Sequence, residues 1–102
     1  MSHETRESYG KYIYVFDDGV IRGFIEMNGT QLSKIYVDSF FQSQGVGDAL
    51  IRYATEEFGA DNLWALEKNK RAISFYQNHG FQVTGRKRLE ENTTEYLVKL
   101  ER

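Results

Sequence analysis

The sequence predicts an α/β fold, a single-domain mixed sheet with two helices in the order β-β-β-α-β-α-β-β. Three observations lead there. Runs of β-branched and aromatic residues, separated by Asp-Gly and Asn-Gly turns, fill the first third of the chain. Two later stretches repeat apolar residues at helical spacing around a short apolar run. A final pair of extended runs closes the chain.

After a polar leader to about Gly10, Tyr12-Ile13-Tyr14-Val15-Phe16 reads as a strand and Asp17-Asp18-Gly19 as a tight turn. Val20 to Met27 supplies the second strand. Asn28-Gly29 is a turn of the kind that prefers positive φ, and Leu32 to Val37 completes an antiparallel meander. From Val46 to about Phe58, the residues Val46, Leu50, Ile51, Ala54 and Phe58 share a helical face opposite Asp48, Arg52 and Glu56, with Ser43 as the N-cap. Gly59-Ala60-Asp61-Asn62 ends that helix, and Leu63-Trp64-Ala65-Leu66 is a short buried strand. A strand, helix, strand unit of this length implies a parallel pair with a right-handed crossover. The second helix is expected from about Asn69 to His79, with Gly80 as a left-handed C-cap. Phe81 to Thr84 and Glu95 to Leu100 form a terminal hairpin joined across Glu90 to Thr94.

Composition narrows the function. The chain has 102 residues, 40% apolar and 15% aromatic, which fits one domain spanning 1–102 with a modest core. A formal net charge of -2 gives no electrostatic case for bulk binding to nucleic acid or membrane. The absence of cysteine excludes a disulfide framework, a thiolate nucleophile and a Cys-based metal site, and suits a cytoplasmic location. His3 and His79 are too far apart in sequence to suggest a metal pair, so no metal is predicted. No apolar run approaches a membrane span, and the first residues lack the apolar stretch of a signal peptide.

The chemistry concentrates in two places. Ile35-Tyr36-Val37 leads through Gln42-Ser43-Gln44-Gly45-Val46-Gly47 into the first helix. Gly45 and Gly47 let backbone approach a ligand without a Cβ in the way, and the first helical N–H groups have no internal acceptor, so the loop can cradle a phosphate. About twenty residues on, Asn69 and Tyr76 stand seven apart on one helical face, roughly 10 Å along the axis, within reach of one elongated ligand. Each also has a plainer reading. Asn69 reads as an N-cap, Tyr76 and Phe75 as aromatics of a packed face, and Phe75 keeps that role. Lys68, Lys70, Arg71 and Arg86-Lys87-Arg88 read as a solvated basic face, with Lys70 or Arg71 as the alternative contact to a phosphate.

These two elements, in this order and spacing, resemble the GNAT superfamily of acetyl-CoA-dependent N-acetyltransferases over about Tyr12 to Leu100. The family's pyrophosphate motif is matched by Gln42, Gly45 and Gly47. The resemblance implies an acyl-CoA N-acyltransferase fold with acetyl-CoA as cosubstrate, the phosphates held by Ser43 to Asp48. It also implies that the backbone of Ile35, Tyr36 and Val37 pairs with pantetheine, that Asn69 bonds the cofactor's arm, and that Tyr76 is the general acid toward the leaving thiolate.

The chain departs from the family in lacking the usual N-terminal strand and helices, and in carrying Gln31 and Trp64 where members place a Glu base. Glu26 and Glu67 are the nearest carboxylates in sequence. The function implied is acetyl transfer to a small-molecule or peptide primary amine. The alternative is a non-catalytic acyl-CoA-binding or protein-interaction module on the same fold. Tyr9, Tyr12, Tyr14 and Phe16 suggest more apolar sheet surface than a solvated edge needs, and hence a homodimer.

Overall fold

The polar leader folds as a strand. In the computed structural model, which describes residues 2–8, 11–17, 19–38 and 45–102, β1 (Ser2–Ser8) pairs antiparallel with β2 (Lys11–Asp17). β2 pairs with β3 (Ile21–Asn28), and β3 with β4 (Gln31–Val37), both antiparallel. The meander therefore has four strands, and the predicted order holds from β2 onward. Strand pairing is satisfied by backbone N–H and C=O groups, so a polar run can take the outermost place in a meander, where charge also discourages further pairing. Apolar periodicity is blind to such a strand. The expectation that the N-terminal strand was missing is corrected with it, and two residues separate β1 from β2.

The contacts gather into two compact units, Met1–Ala60 and Asp61–Arg102. In the first, α1 (Val46–Glu57) packs on β3 and β4 through Val46, Leu50, Ile51 and Ala54, the face its spacing predicts. Ile25, Met27 and Leu32 are buried in the same unit. Gly23 makes a close approach possible: a Cβ there would run into the Tyr36 carbonyl and come within 3.0 Å of Leu50 Cδ1.

Tyr14 is 1% exposed and stacks on Tyr53 of α1 with ring centroids 3.8 Å apart, while Phe58 meets it edge-on at 6.3 Å. Tyr14 and Phe16 are thus core residues, and α1 absorbs aromatic surface that had suggested a second copy of the chain. Tyr12 remains 38% exposed, and Tyr9 lies outside the described residues.

In the second unit β7 (Tyr96–Glu101) is central, antiparallel to β5 (Asn62–Leu66) on one side and β6 (Gln82–Leu89) on the other. Leu63 and Ala65 face Leu100 and Val98 across the register, and all four are buried. β6 runs farther than expected, so Arg86-Lys87-Arg88 belongs to a paired strand instead of a loop. A register shift between Val83 and Lys87, with Gly85 at φ 86°, explains why alternation breaks there. α2 (Lys70–Gln77) is shorter at both ends than predicted: Asn69 is its cap, Asn78 closes it, and Gly80 turns at φ 92° as its sequence position implies.

Two expected outcomes test this packing. Gly23→Ala should destabilise the protein by about 1–3 kcal/mol, the usual cost of overpacking, and lower its melting temperature by about 5 °C or more in calorimetry. An unchanged melting temperature would mean that the approach of α1 to β3 is not tight. Burial first, then the Tyr53 and Glu57 neighbours, pushes the Tyr14 phenol from 10.0 up to about 12. A phenol raised in the folded state gives stability that is complete below pH 10 and lost between 10 and 12. Urea unfolding at pH 9 and pH 12 should therefore show a smaller alkaline loss in Tyr14→Phe than in the parent, by on the order of 2 kcal/mol.

Candidate active site

The residues singled out by sequence divide between the two units. In the first, Val37, Tyr36 and Ile35 of β4 oppose Gly23, Phe24 and Ile25 of β3. Tyr36 is half-exposed and stacks with Phe24 at 5.4 Å. Gln42, Ser43 and Gln44 lie outside the described residues.

The N-cap of α1 is Gly45 and not Ser43, and the reason is conformational. Gly45 adopts φ 80°, ψ 3°, a left-handed turn that glycine enters without steric cost. Having no side chain, it cannot accept from the first turn, and α1 starts with no side-chain cap bond. Among the described residues nothing lies within 4 Å of where a Gly45 Cβ would be. Val46 is buried, Gly47 half-buried and Asp48 exposed. This geometry suits an anion: N–H groups that receive no side-chain cap bond from Gly45 stand at the positive end of the helix dipole. Asp48 contributes a negative charge to that turn, but Arg52 one turn on sits 3.8 Å from its carboxylate.

In the second unit Asn69 does act as the cap its plain reading foresaw, its Oδ1 accepting from the Ala72 N–H at 3.1 Å. The cap uses the amide oxygen, and the two donors on Nδ2 stay available to a ligand. Tyr76, seven residues on, meets Phe81 edge-on at 6.2 Å and Phe75 at 5.5 Å. Burial pushes its phenol above the usual tyrosine value. Such a group holds its proton at neutral pH and is not a base there. Phe75 also contacts the His79 ring at 4.8 Å, and His79 Nδ1 lies 2.9 Å from the Phe75 carbonyl, so both side chains are held at the end of α2.

The carboxylates near the site have other partners. Glu67 bonds Lys87, and that hydrogen bond, with the Lys87 and Lys70 charges, outweighs slight desolvation and holds its carboxyl below the usual range. A carboxylate so held is a weaker base. Glu26 stands opposite Lys34 across β3 and β4. Gln31 begins β4 and Trp64 lies within β5, and neither side chain can take a proton from an amine.

Three features of the second unit were not legible as motifs. Lys68 bonds Glu95 at 2.8 Å, tying the turn after β5 to the start of β7, and the Glu67–Lys87 pair ties the same turn to β6. Arg88 and Lys99 both lie against the Trp64 ring. All three join residues more than ten apart, so only the strand register brings them together. Among the described residues no group of three or more His, Cys, Asp or Glu is placed to hold a metal, and no helix is long and apolar enough to cross a membrane.

Residues 9–83 match the family model described as the acetyltransferase (GNAT) domain, a stretch that crosses from the first unit into the second. The chain is 28% identical over 80 residues to the peptidyl-lysine N-acetyltransferase YjaB of Salmonella typhimurium, covering 78% of this chain and 55% of that protein. It is 34% identical over 68 residues to the peptidyl-lysine N-acetyltransferase YiaC of Escherichia coli, covering 66% and 47%. The solution structure of apo-form YjaB from Escherichia coli aligns with a TM-score of 0.74 at 25% identity, over 89% of this chain and 63% of that one. The chain thus spans about half the length of the relatives it matches in sequence. On the family match, and on a mixed α/β fold that superimposes on members of the same family, this chain belongs to the GNAT acetyltransferases.

Proposed function

We propose that this chain, acting as one domain, transfers an acetyl group from acetyl-CoA to a primary amine on a polypeptide. The observation that carries the reading is the start of α1, where a left-handed Gly45 leaves the first turn without a side-chain cap and opens it to an anion. The backbone of Gly45 to Asp48, with Gln42, Ser43 and Gln44 before it, would hold the coenzyme's pyrophosphate. The β4 backbone at Ile35, Tyr36 and Val37 and the Asn69 amide would hold its pantetheine arm. When bound, the cosubstrate supplies an acetyl thioester open to attack by an amine.

The amine nitrogen forms a bond to the acetyl carbon, the carbon–sulfur bond breaks, and the departing sulfur takes the Tyr76 hydroxyl proton. The second proton transfer, from the amine, falls to water. Gln31 and Trp64 cannot accept it, and Glu67 is committed to Lys87. An amine already partly neutral is therefore favoured: an α-amine near pKa 8 has far more free base at neutral pH than a lysine side chain near 10.4. The names of the relatives support a polypeptide acceptor, and the cysteine-free composition supports a cytoplasmic location. The same missing base favours a second reading, an acyl-CoA-binding module without turnover.

Calorimetric titration with acetyl-CoA should show saturable binding that Gly45→Glu abolishes, since this change puts a carboxylate and a strained backbone into the cradle. No binding by the parent would overturn the cofactor assignment. Tyr76→Phe should keep affinity within about twofold and lose tenfold or more in kcat, within the range of general acid catalysis. Equal kcat in both forms would remove Tyr76 from the chemistry. At pH 7 an α-amine peptide should outrun a lysine side chain on an otherwise matched, N-terminally blocked peptide, with the gap closing toward pH 10. A lysine acceptor that is as fast at pH 7 would argue for a base elsewhere.

A further inference from the structure

Two pairs of cations in the second unit are held in different ways. Lys68 and Lys87 are each paired with a carboxylate, Glu95 and Glu67 respectively. Arg88 and Lys99 have no such partner among the described residues and lie instead against one aromatic ring. The Arg88 Cζ is 4.4 Å and the Lys99 Nζ 5.0 Å from the centroid of Trp64. The register explains the convergence. Lys99 is the direct cross-strand partner of Trp64, and Arg88 opposes Leu97, two residues from Lys99 on the same sheet face. Each of the three strands of the second unit thus contributes one member.

We propose that this Trp64 face binds an acidic segment of the polypeptide acceptor, with carboxylates bonded to Arg88 and Lys99. The proposal rests on the acetyltransferase reading for what the segment belongs to. Two like charges this close to one ring centroid stand no farther apart than about a Debye length at 0.1 M salt, so they repel each other, and a bound anion would relieve that repulsion. The ring takes part of each cation's solvation and limits its freedom. Both retain donors that a carboxylate matches, the planar guanidinium in bidentate fashion.

The charge pattern selects polypeptide over nucleic acid. A phosphodiester strand needs a row of cations and aromatic faces free for stacking. Here there are two cations and not a row, and they already occupy the surroundings of the ring.

Trp64 is the one tryptophan in the chain, so its emission reports on this face alone. In the absence of acetyl-CoA, blocked hexaglutamate should change Trp64 emission saturably and blocked hexalysine should not, and 0.5 M NaCl should weaken the response. The double variant Arg88→Gln, Lys99→Gln should weaken hexaglutamate binding about tenfold or more while its far-ultraviolet circular dichroism matches the parent. Arg88→Gln alone should give an intermediate loss. Equal responses to the two peptides, or binding untouched by the substitutions, would overturn the proposal. So would an oligothymidylate of six residues that binds more tightly than hexaglutamate.

Turnover separates this inference from the one beneath it. Acceptor peptides flanked by Glu should have a KM about tenfold below that of peptides flanked by Lys. Equal KM values with acetyl transfer intact refute the acidic preference alone. Hexaglutamate binding without any acetyl-CoA binding refutes the acetyltransferase reading alone.

Discussion

The seating of α1 on the meander is the constraint from which the first half of the site follows. The Tyr14–Tyr53 stack at 3.8 Å and the bare backbone of Gly23 beneath Leu50 hold the helix close to the strands. A helix fixed by its buried face is also fixed in where its axis begins, because Val46 at the first turn is part of that face. Gly45 then has to turn the chain into the helix at a set point, and a left-handed residue does so without strain. The N–H groups of that first turn are oriented as a consequence of packing, so the anion proposed to bind there would require no reorganisation of them.

The second unit solves a different problem with different means. α2 is only eight residues long, and Ile73 is its buried residue, so little apolar burial anchors it. Side-chain bonds at its two ends compensate. Asn69 caps its start, and His79 bonds back to Phe75 near its end. The turn before it is tied to β6 and β7 through Glu67–Lys87 and Lys68–Glu95. These pairs are largely exposed and individually weak in stability. Their value is positional, since together they set the turn that delivers Asn69, and with it the helix that carries Tyr76.

How much of this the chain reveals in one dimension depends on the range of the interaction. The apolar face of α1, the glycine turns and the left-handed Gly80 are local, and sequence periodicity shows them. β1 escaped because pairing by backbone groups leaves no apolar signature in Ser2–Ser8. The cap of α1 shifted from Ser43 to Gly45 because capping preference ranks side chains, whereas a φ of 80° is decided by the turn. The Trp64 cluster was invisible for a further reason. Its members are far apart in the chain, and the shift between Val83 and Lys87 changes which residues of β6 face β7. The Arg86-Lys87-Arg88 run read as one solvated patch, yet Lys87 pairs with Glu67 while Arg88 turns to Trp64. A run of like charges on a strand is divided between two faces by the pleat, and its members then take different roles.

The electrostatics of the site residues also limit what chemistry this chain can support. Tyr76 is pushed toward its neutral form, and Glu67 is pushed toward its charged form by the cation it already holds. One keeps its proton at neutral pH, and the other is poorly suited to taking one. The catalytic help available from these two residues is asymmetric, favouring departure of the leaving group over activation of the nucleophile. An enzyme built this way would leave the choice of acceptor to the amine's own basicity and to whatever positions it. A pair of cations without a carboxylate partner among the described residues, set against a ring on the strand that leads into the Glu67 turn, would be a means of positioning that asks nothing of a base.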